Sequence, residues 1–152
     1  MGFLTVYPAG QNRSTASNLN FTRGETVPNR VIVPIGSAGQ VALYANTGSL
    51  NVVVDVGGWY TDGSGSSSGS LPFMAMAPSR IYDTRTGSGE PYADNTLGSG
   101  SVLAVQVAGV GGGSGSSSTT SFAFPSPPKA SKREVKVAVV SGTGKVLDGL
   151  LC

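Results

Sequence analysis

The run Leu50-Asn51-Val52-Val53-Val54-Asp55-Val56-Gly57-Gly58-Trp59-Tyr60 decides the fold. Four of its residues are Val, whose branched side chain is stiff at χ1 and packs well on a pleated surface. By the two-residue period of a strand, Val52, Val54 and Val56 share one face, and Val53, Asp55 and Gly57 share the other. A strand apolar on one face and nearly so on the other is expected at the centre of a sheet, covered on both sides. Asp55 is the exception. A carboxylate among valines has to be paired, hydrogen-bonded or useful, and Arg80 and Arg85 are its expected partners.

Working outward, residues 2–8 alternate weakly and stop at Pro8, which predicts a strand. Residues 9–20 are polar and suit a loop or a short edge strand. Residues 26–35 form a strand interrupted by Pro28 and Pro34, and proline, which donates nothing to a ladder, places it at an edge. Gly36-Ser37-Ala38-Gly39 predicts a hairpin-like turn into residues 40–46, where Val41, Leu43 and Ala45 alternate with Ala42 and Tyr44. Asn46-Thr47-Gly48-Ser49 then turns into the central strand. Strands are also expected over 72–85 and 101–110, around a Gly-rich loop at 86–100. Gly/Ser-rich tracts at 61–70 and 111–118 have linker composition, and a Pro-rich stretch follows at 125–128. A meander of short strands at roughly ten-residue spacing implies an all-β antiparallel β-sandwich, with a β-barrel as the alternative. Its core is expected from Leu4, Val6, Val31, Val33, Val41, Leu43, Val52, Val54, Val56, Ile81, Leu103, Val105 and Val107.

Composition narrows the chemistry. Of 152 residues only 12% are charged, 39% are apolar and 23 are Gly, which fits a turn-rich, extracellular-type β-protein better than a charged helix bundle. A net charge of +2 with scattered basic residues gives no phosphate-tracking stripe, so nucleic acid is not an expected partner. No apolar run is long enough for a membrane helix, and Met1-Gly2-Phe3-Leu4 shows no leader. There is no histidine, which removes Ser-His-Asp and Cys-His catalysis and the usual His/Cys zinc sites. The one cysteine, Cys152, permits only an intermolecular disulfide.

Three stretches together resemble a known family. They are Gly2-Phe3-Leu4-Thr5-Val6-Tyr7-Pro8-Ala9-Gly10 with Ala16-Ser17-Asn18-Leu19-Asn20-Phe21, then Val52 to Tyr60, and Pro78-Ser79-Arg80-Ile81-Tyr82-Asp83-Thr84-Arg85. They are similar to a repeated extracellular β-domain of actinobacteria and related bacteria, over about residues 2–110. In that family the Arg80–Arg85 motif opens a unit and the Trp59 motif closes it, whereas here the order is reversed. The resemblance therefore implies residues 1–61 as the end of one unit, 62–71 as a linker and 72–110 as the start of the next. It also implies an accessory module of a large secreted or cell-surface protein. Residues 129–152 carry four Lys and one Arg, against five Arg and no Lys before them, and do not resemble the family. The expectation is that 111–133 is a second linker and that 134–152 forms a tail hairpin whose strand 134–140 supplies the strand the family has before Gly2. The whole would then be one circularly permuted domain, read as a natural or engineered fragment with an appended tail. The alternative is strand exchange between two chains, a strand-swapped homodimer.

Candidate binding residues are Trp59, Tyr60, Tyr82, Asp83 and Arg85. Trp59, Tyr60, Tyr7, Tyr44 and Tyr82 offer large apolar rings with polar handles, which suit the flat face of a sugar. The favoured function is a non-catalytic module for carbohydrate or cell-wall polymer, set against a structural spacer. Asp83 and Arg85 are expected on one strand face with Ile81, as a ligand-binding pair or as a structural ion pair. For a glycosidase-like hydrolase the acids would be Asp83, Glu90 and Asp94. The same three are the only calcium candidates, without a recognised spacing, so no cofactor is expected.

Overall fold

The computed structural model describes residues 1–60, 73–89, 92–109 and 132–140. They form eight strands: β1 (Gly2–Pro8), β2 (Leu19–Phe21), β3 (Thr26–Pro34), β4 (Gln40–Ala45), β5 (Asn51–Tyr60), β6 (Phe73–Asp83), β7 (Val102–Gln106) and β8 (Lys132–Val140). The described residues contain no α-helix, only a 3-10 turn at Ser37–Gly39, and none of them forms a helix long and apolar enough to cross a membrane. Two antiparallel four-stranded sheets result, ordered β2-β1-β4-β7 and β3-β8-β5-β6. The sheets do not close into a barrel, and the fold is the sandwich-like one.

The core lies between the sheets. Leu4, Val6, Val41, Leu43, Val105 and Val107 face it from the first sheet, and Val31, Val33, Val52, Val54 and Val56 from the second, all 6% exposed or less. Ile81 and Leu103 pack against this cluster half-buried. Leu19, Phe21, Leu50, Tyr82 and Leu97 complete it. Burying a large aliphatic side chain contributes about 1.5–3 kcal/mol, so the valine and leucine rows dominate the stability.

Proline acts at β3 as the sequence predicts, since β3 lies at a sheet edge. β5 is interior, between β8 and β6. Its outer face is not covered by a second layer, however. Val53 is buried there, but Asp55 and Gly57 are half-exposed, because charged side chains rather than apolar ones roof this face.

The connections differ from the expected meander. β3, β4 and β5 alternate between the two sheets, so Gly36–Gly39 is a crossing between layers and not a hairpin turn. The crossing lets β3 and β4 both point their valines into one core from opposite sides. It is held by Gly36 N–H donating to the Gln40 carbonyl (2.9 Å) and Ser37 N–H donating to the Ala9 carbonyl (2.8 Å). Gly36 sits so close to the Ala9 backbone that an added Cβ would overlap it. The strands expected over 72–85 and 101–110 are β6 and β7, ending at Asp83 and Gln106. Beyond Gln106 the chain turns, and Val107 and Ala108 both donate to the Gly39 carbonyl at 3.0 and 2.9 Å. The tail strand begins at Lys132, two residues before its expected start. The linker expected at 62–71, residues 111–131 of the second expected linker, the turn after Val140 and Glu90 lie outside the described residues, while residues 132–133 belong to β8 and not to a linker.

Candidate functional site

The residues around Asp83 are built by a bulge in β6. Val54 is opposite Tyr82, but Asp55 is opposite Arg80, so Ile81 is the extra residue. The bulge reverses the alternation. Ile81 packs on the core, while Arg80 and Asp83 meet on the outer side. The expected sharing of a face by Asp83, Arg85 and Ile81 is therefore corrected, because a strict two-residue period does not survive an inserted residue.

Asp83 is 1% exposed and fully engaged. Its carboxylate accepts from Arg85 N–H (3.0 Å), Nε (2.9 Å) and Nη2 (2.6 Å), and from Arg80 Nη1 (3.4 Å). Arg80 Nε donates to Asp55 Oδ1 at 3.0 Å, the pairing expected of Asp55. Burial alone would raise the Asp83 pKa. The hydrogen bonds from Arg85 and the charges of Arg85 and Arg80 outweigh it and hold the group below its ordinary value. A carboxylate held ionised, with both oxygens taken, is a poor general acid.

Between them, Thr84 is wholly buried and extends the β5 ladder. Its N–H donates to the Val52 carbonyl (3.0 Å), and its Oγ1 accepts from Val52 N–H (2.8 Å). Asp94 N–H donates to the Thr84 carbonyl (3.1 Å), which ties the following loop to this anchor. Asp94 itself is exposed and left-handed, with φ 65°. Among the described residues no three His, Cys, Asp or Glu side chains gather as metal ligands.

The aromatic candidates divide among three places. Tyr82 is only 3% exposed, so it is core and not itself an open platform. It supports one: Tyr92, 42% exposed, stacks on it with ring centroids 4.2 Å apart and an interplanar angle of 20°. Burial pushes the Tyr82 hydroxyl pKa up, the Tyr92 hydroxyl acts in the same direction, and a side-chain hydrogen bond with Asn95 opposes both. Trp59 and Tyr60 lie at the other end of the β5–β6 ladder, where Tyr60 meets Phe73 at 5.0 Å. Nine residue steps along β6 separate Phe73 from Tyr82, about 25–30 Å. Tyr7 and Tyr44 lie on the first sheet, packed with Ala9 and Ala42, and the Arg13 guanidinium stands 4.0 Å over Tyr44. The structure thus groups Tyr82, Asp83 and Arg85 at one end of β6, and Trp59 and Tyr60 at the other.

Tyr92 is the residue that sequence reasoning missed. It stands in a loop defined by its glycines, and only its aromatic character beside a strand-end motif signals it. No protein-family model matches the chain, and no curated protein or solved structure is significantly similar to it.

Proposed function

We propose that the chain is a non-catalytic binding module for carbohydrate polymer, working at the bacterial cell surface or outside the cell. The reading rests on one observation: an exposed ring, Tyr92, backed by a buried ring, Tyr82. One face of the Tyr92 ring stacks on Tyr82, and the residue as a whole remains 42% exposed. A ring fixed from behind gives a sugar's apolar face a surface that needs no ordering on contact. The loop carrying it is pinned at Thr84 and, beyond it, at Leu97, whose N–H donates to the Leu50 carbonyl at 2.9 Å. The composition and the resemblance to extracellular β-domains agree with this role.

The test is retention on insoluble polysaccharides and on purified cell wall. Loss of the Tyr92 ring in Tyr92→Ala is expected to weaken binding about tenfold, equivalent to about 1.4 kcal/mol. Tyr92→Phe should retain most of it. A protein that no polysaccharide retains, or a Tyr92→Ala variant that binds unchanged, overturns the reading. The second reading, a structural spacer, is favoured by the saturation of Asp83, since that charge cluster holds the fold together and offers no free group to a ligand.

A further inference from the structure

Strands β1, β2, β4 and β7 of the first sheet contain no charged residue. The acids of the described strands, Asp55, Asp83 and Glu134, all belong to the second sheet. One cation reaches the outer face of the first sheet, Arg13, from the loop 9–18. Three hydrogen bonds tie this loop down: Thr5 Oγ1 donates to the Ala16 carbonyl (3.0 Å), Asn18 N–H to the Leu4 carbonyl (2.9 Å) and Ser37 N–H to the Ala9 carbonyl (2.8 Å). The Arg13 guanidinium stands 4.0 Å over the Tyr44 ring, and the Phe3 ring lies 6.3 Å from the same ring. An aromatic face engages the charge of a guanidinium but accepts none of its planar fork of N–H groups as a carboxylate would. Among the described residues Arg13 has no hydrogen-bond acceptor and no carboxylate partner. Arg80 and Arg85, by contrast, are engaged by Asp55 and Asp83.

Bare apolar surface lies beside this cation. Tyr44 is opposite Val102, which is 55% exposed, and Ala42 is opposite Ala104, which is also exposed. Leu103 and Val105 turn to the core, so Val102 and Ala104 share the outer face with Tyr44. Cross-strand neighbours stand about 5 Å apart, so one ligand that carries its charge next to an apolar face touches both.

We propose that this face binds an acidic sugar, a uronic-acid unit of a polymer, with its carboxylate on Arg13 and its C–H face over Val102 and Ala104. A guanidinium gives a carboxylate paired, parallel N–H bonds. In a uronate the carboxylate is joined directly to a ring carbon, so charge and apolar face come at a short, fixed spacing. A phosphodiester stands off its sugar on a rotatable ester link and does not fix that spacing. A single cation among uncharged strands matches a single negative charge, and no acid of those strands repels it. The site lies on the opposite sheet from Tyr82 and does not depend on the role given to Tyr92.

The experiment titrates the full chain with soluble polygalacturonate at low ionic strength, and with its fully methyl-esterified form as the uncharged counterpart. Polygalacturonate is expected to bind, and the ester at least about tenfold more weakly. Arg13→Gln should lower the affinity for polygalacturonate to that of the ester. Arg23→Gln removes the same charge from another exposed turn and should bind as wild type does. Val102→Glu sets a carboxylate beside the site at an exposed position and should bind as weakly as Arg13→Gln. All three positions are exposed, so the fold is not at stake. Tyr92→Ala should leave polygalacturonate binding unchanged. No binding by wild type, or an Arg13→Gln variant that binds unchanged, overturns the proposal. So do equal losses in Arg13→Gln and Arg23→Gln, or tighter binding of poly(glycerol phosphate) than of polygalacturonate. A loss in Tyr92→Ala with Arg13→Gln intact overturns this site while leaving the earlier reading of Tyr92 standing.

Discussion

Replacing Asp83 by Asn tests whether the buried charge cluster holds the second sheet to its loop. The substitution keeps the shape and one carbonyl acceptor, but turns an amide toward the guanidinium groups of Arg85 and Arg80. Two of the hydrogen bonds it breaks are charge-assisted, at 2.6 and 2.9 Å. Each such bond contributes about 1.5–3 kcal/mol net. The arginines retain 24% and 39% exposure, so water replaces part of what they lose. The expected destabilisation is therefore about 3 kcal/mol, the lower end for breaking a buried pair. Asp55→Asn is the internal control. Asp55 and Arg80 are 26% and 39% exposed, and a pair this open is expected to contribute about 1 kcal/mol or less. Urea unfolding followed by Trp59, the only tryptophan, reads both variants. At a slope of about 2 kcal/mol/M, Asp83→Asn should lower the midpoint by roughly 1.5 M and Asp55→Asn by under 0.5 M. An Asp83→Asn loss within 1 kcal/mol of wild type, or equal losses for the two variants, refutes the assignment.

The same cluster sets a pH dependence. The folded-state pKa of Asp83 is depressed, so its contribution is complete above the ordinary carboxylate value of about 4 and is lost as pH falls through the lower folded value. Urea midpoints of wild type should fall more steeply below about pH 4 than those of Asp83→Asn, and parallel curves would contradict this. Thr84→Val leaves the buried Val52 N–H without its side-chain acceptor and should destabilise by about 1–3 kcal/mol, with faster hydrogen exchange at Val52. Gly36→Ala forces a Cβ into the Ala9 backbone and should lower the thermal midpoint far more than Gly24→Ala in a Cβ-open turn of φ +82°, where only backbone strain of about 1 kcal/mol acts.

What the sequence discloses here follows from what a period can encode. Alternation marks the inward valines of β3, β4, β5 and β7, because each of those rows faces one core. Proline marks the edge position of β3. Alternation cannot locate an inserted residue, so the bulge at Ile81, and the meeting of Arg80 with Asp83, were not legible. Nor does a Gly-rich turn state which sheet its second strand will join, and the crossing at Gly36–Gly39 depends on packing against Ala9. At the candidate site, Tyr82 and Tyr92 are ten residues apart, across a strand end and a loop, and only tertiary structure stacks them.

The motif residues that stand out in the sequence prove to be ladder parts. Thr84 extends β5 as a bonding partner for Val52. Asn18 does the same for β1, accepting from Val6 N–H at 2.7 Å and donating its own N–H to the Leu4 carbonyl at 2.9 Å. Asn46 accepts from Phe3 N–H at 2.5 Å and returns its N–H to the Phe3 carbonyl at 3.1 Å. Asp83 holds Arg85 at the point where the strand gives way to the loop. Each occupies a place where a strand ends and backbone groups would otherwise lose their partners, an expensive condition near a core. A motif made of such residues specifies how the sheets terminate. It does not specify what they bind. On the proposed reading, the chemistry available to a ligand lies with side chains the scaffold does not consume, and at the loop anchored by Thr84 that is Tyr92.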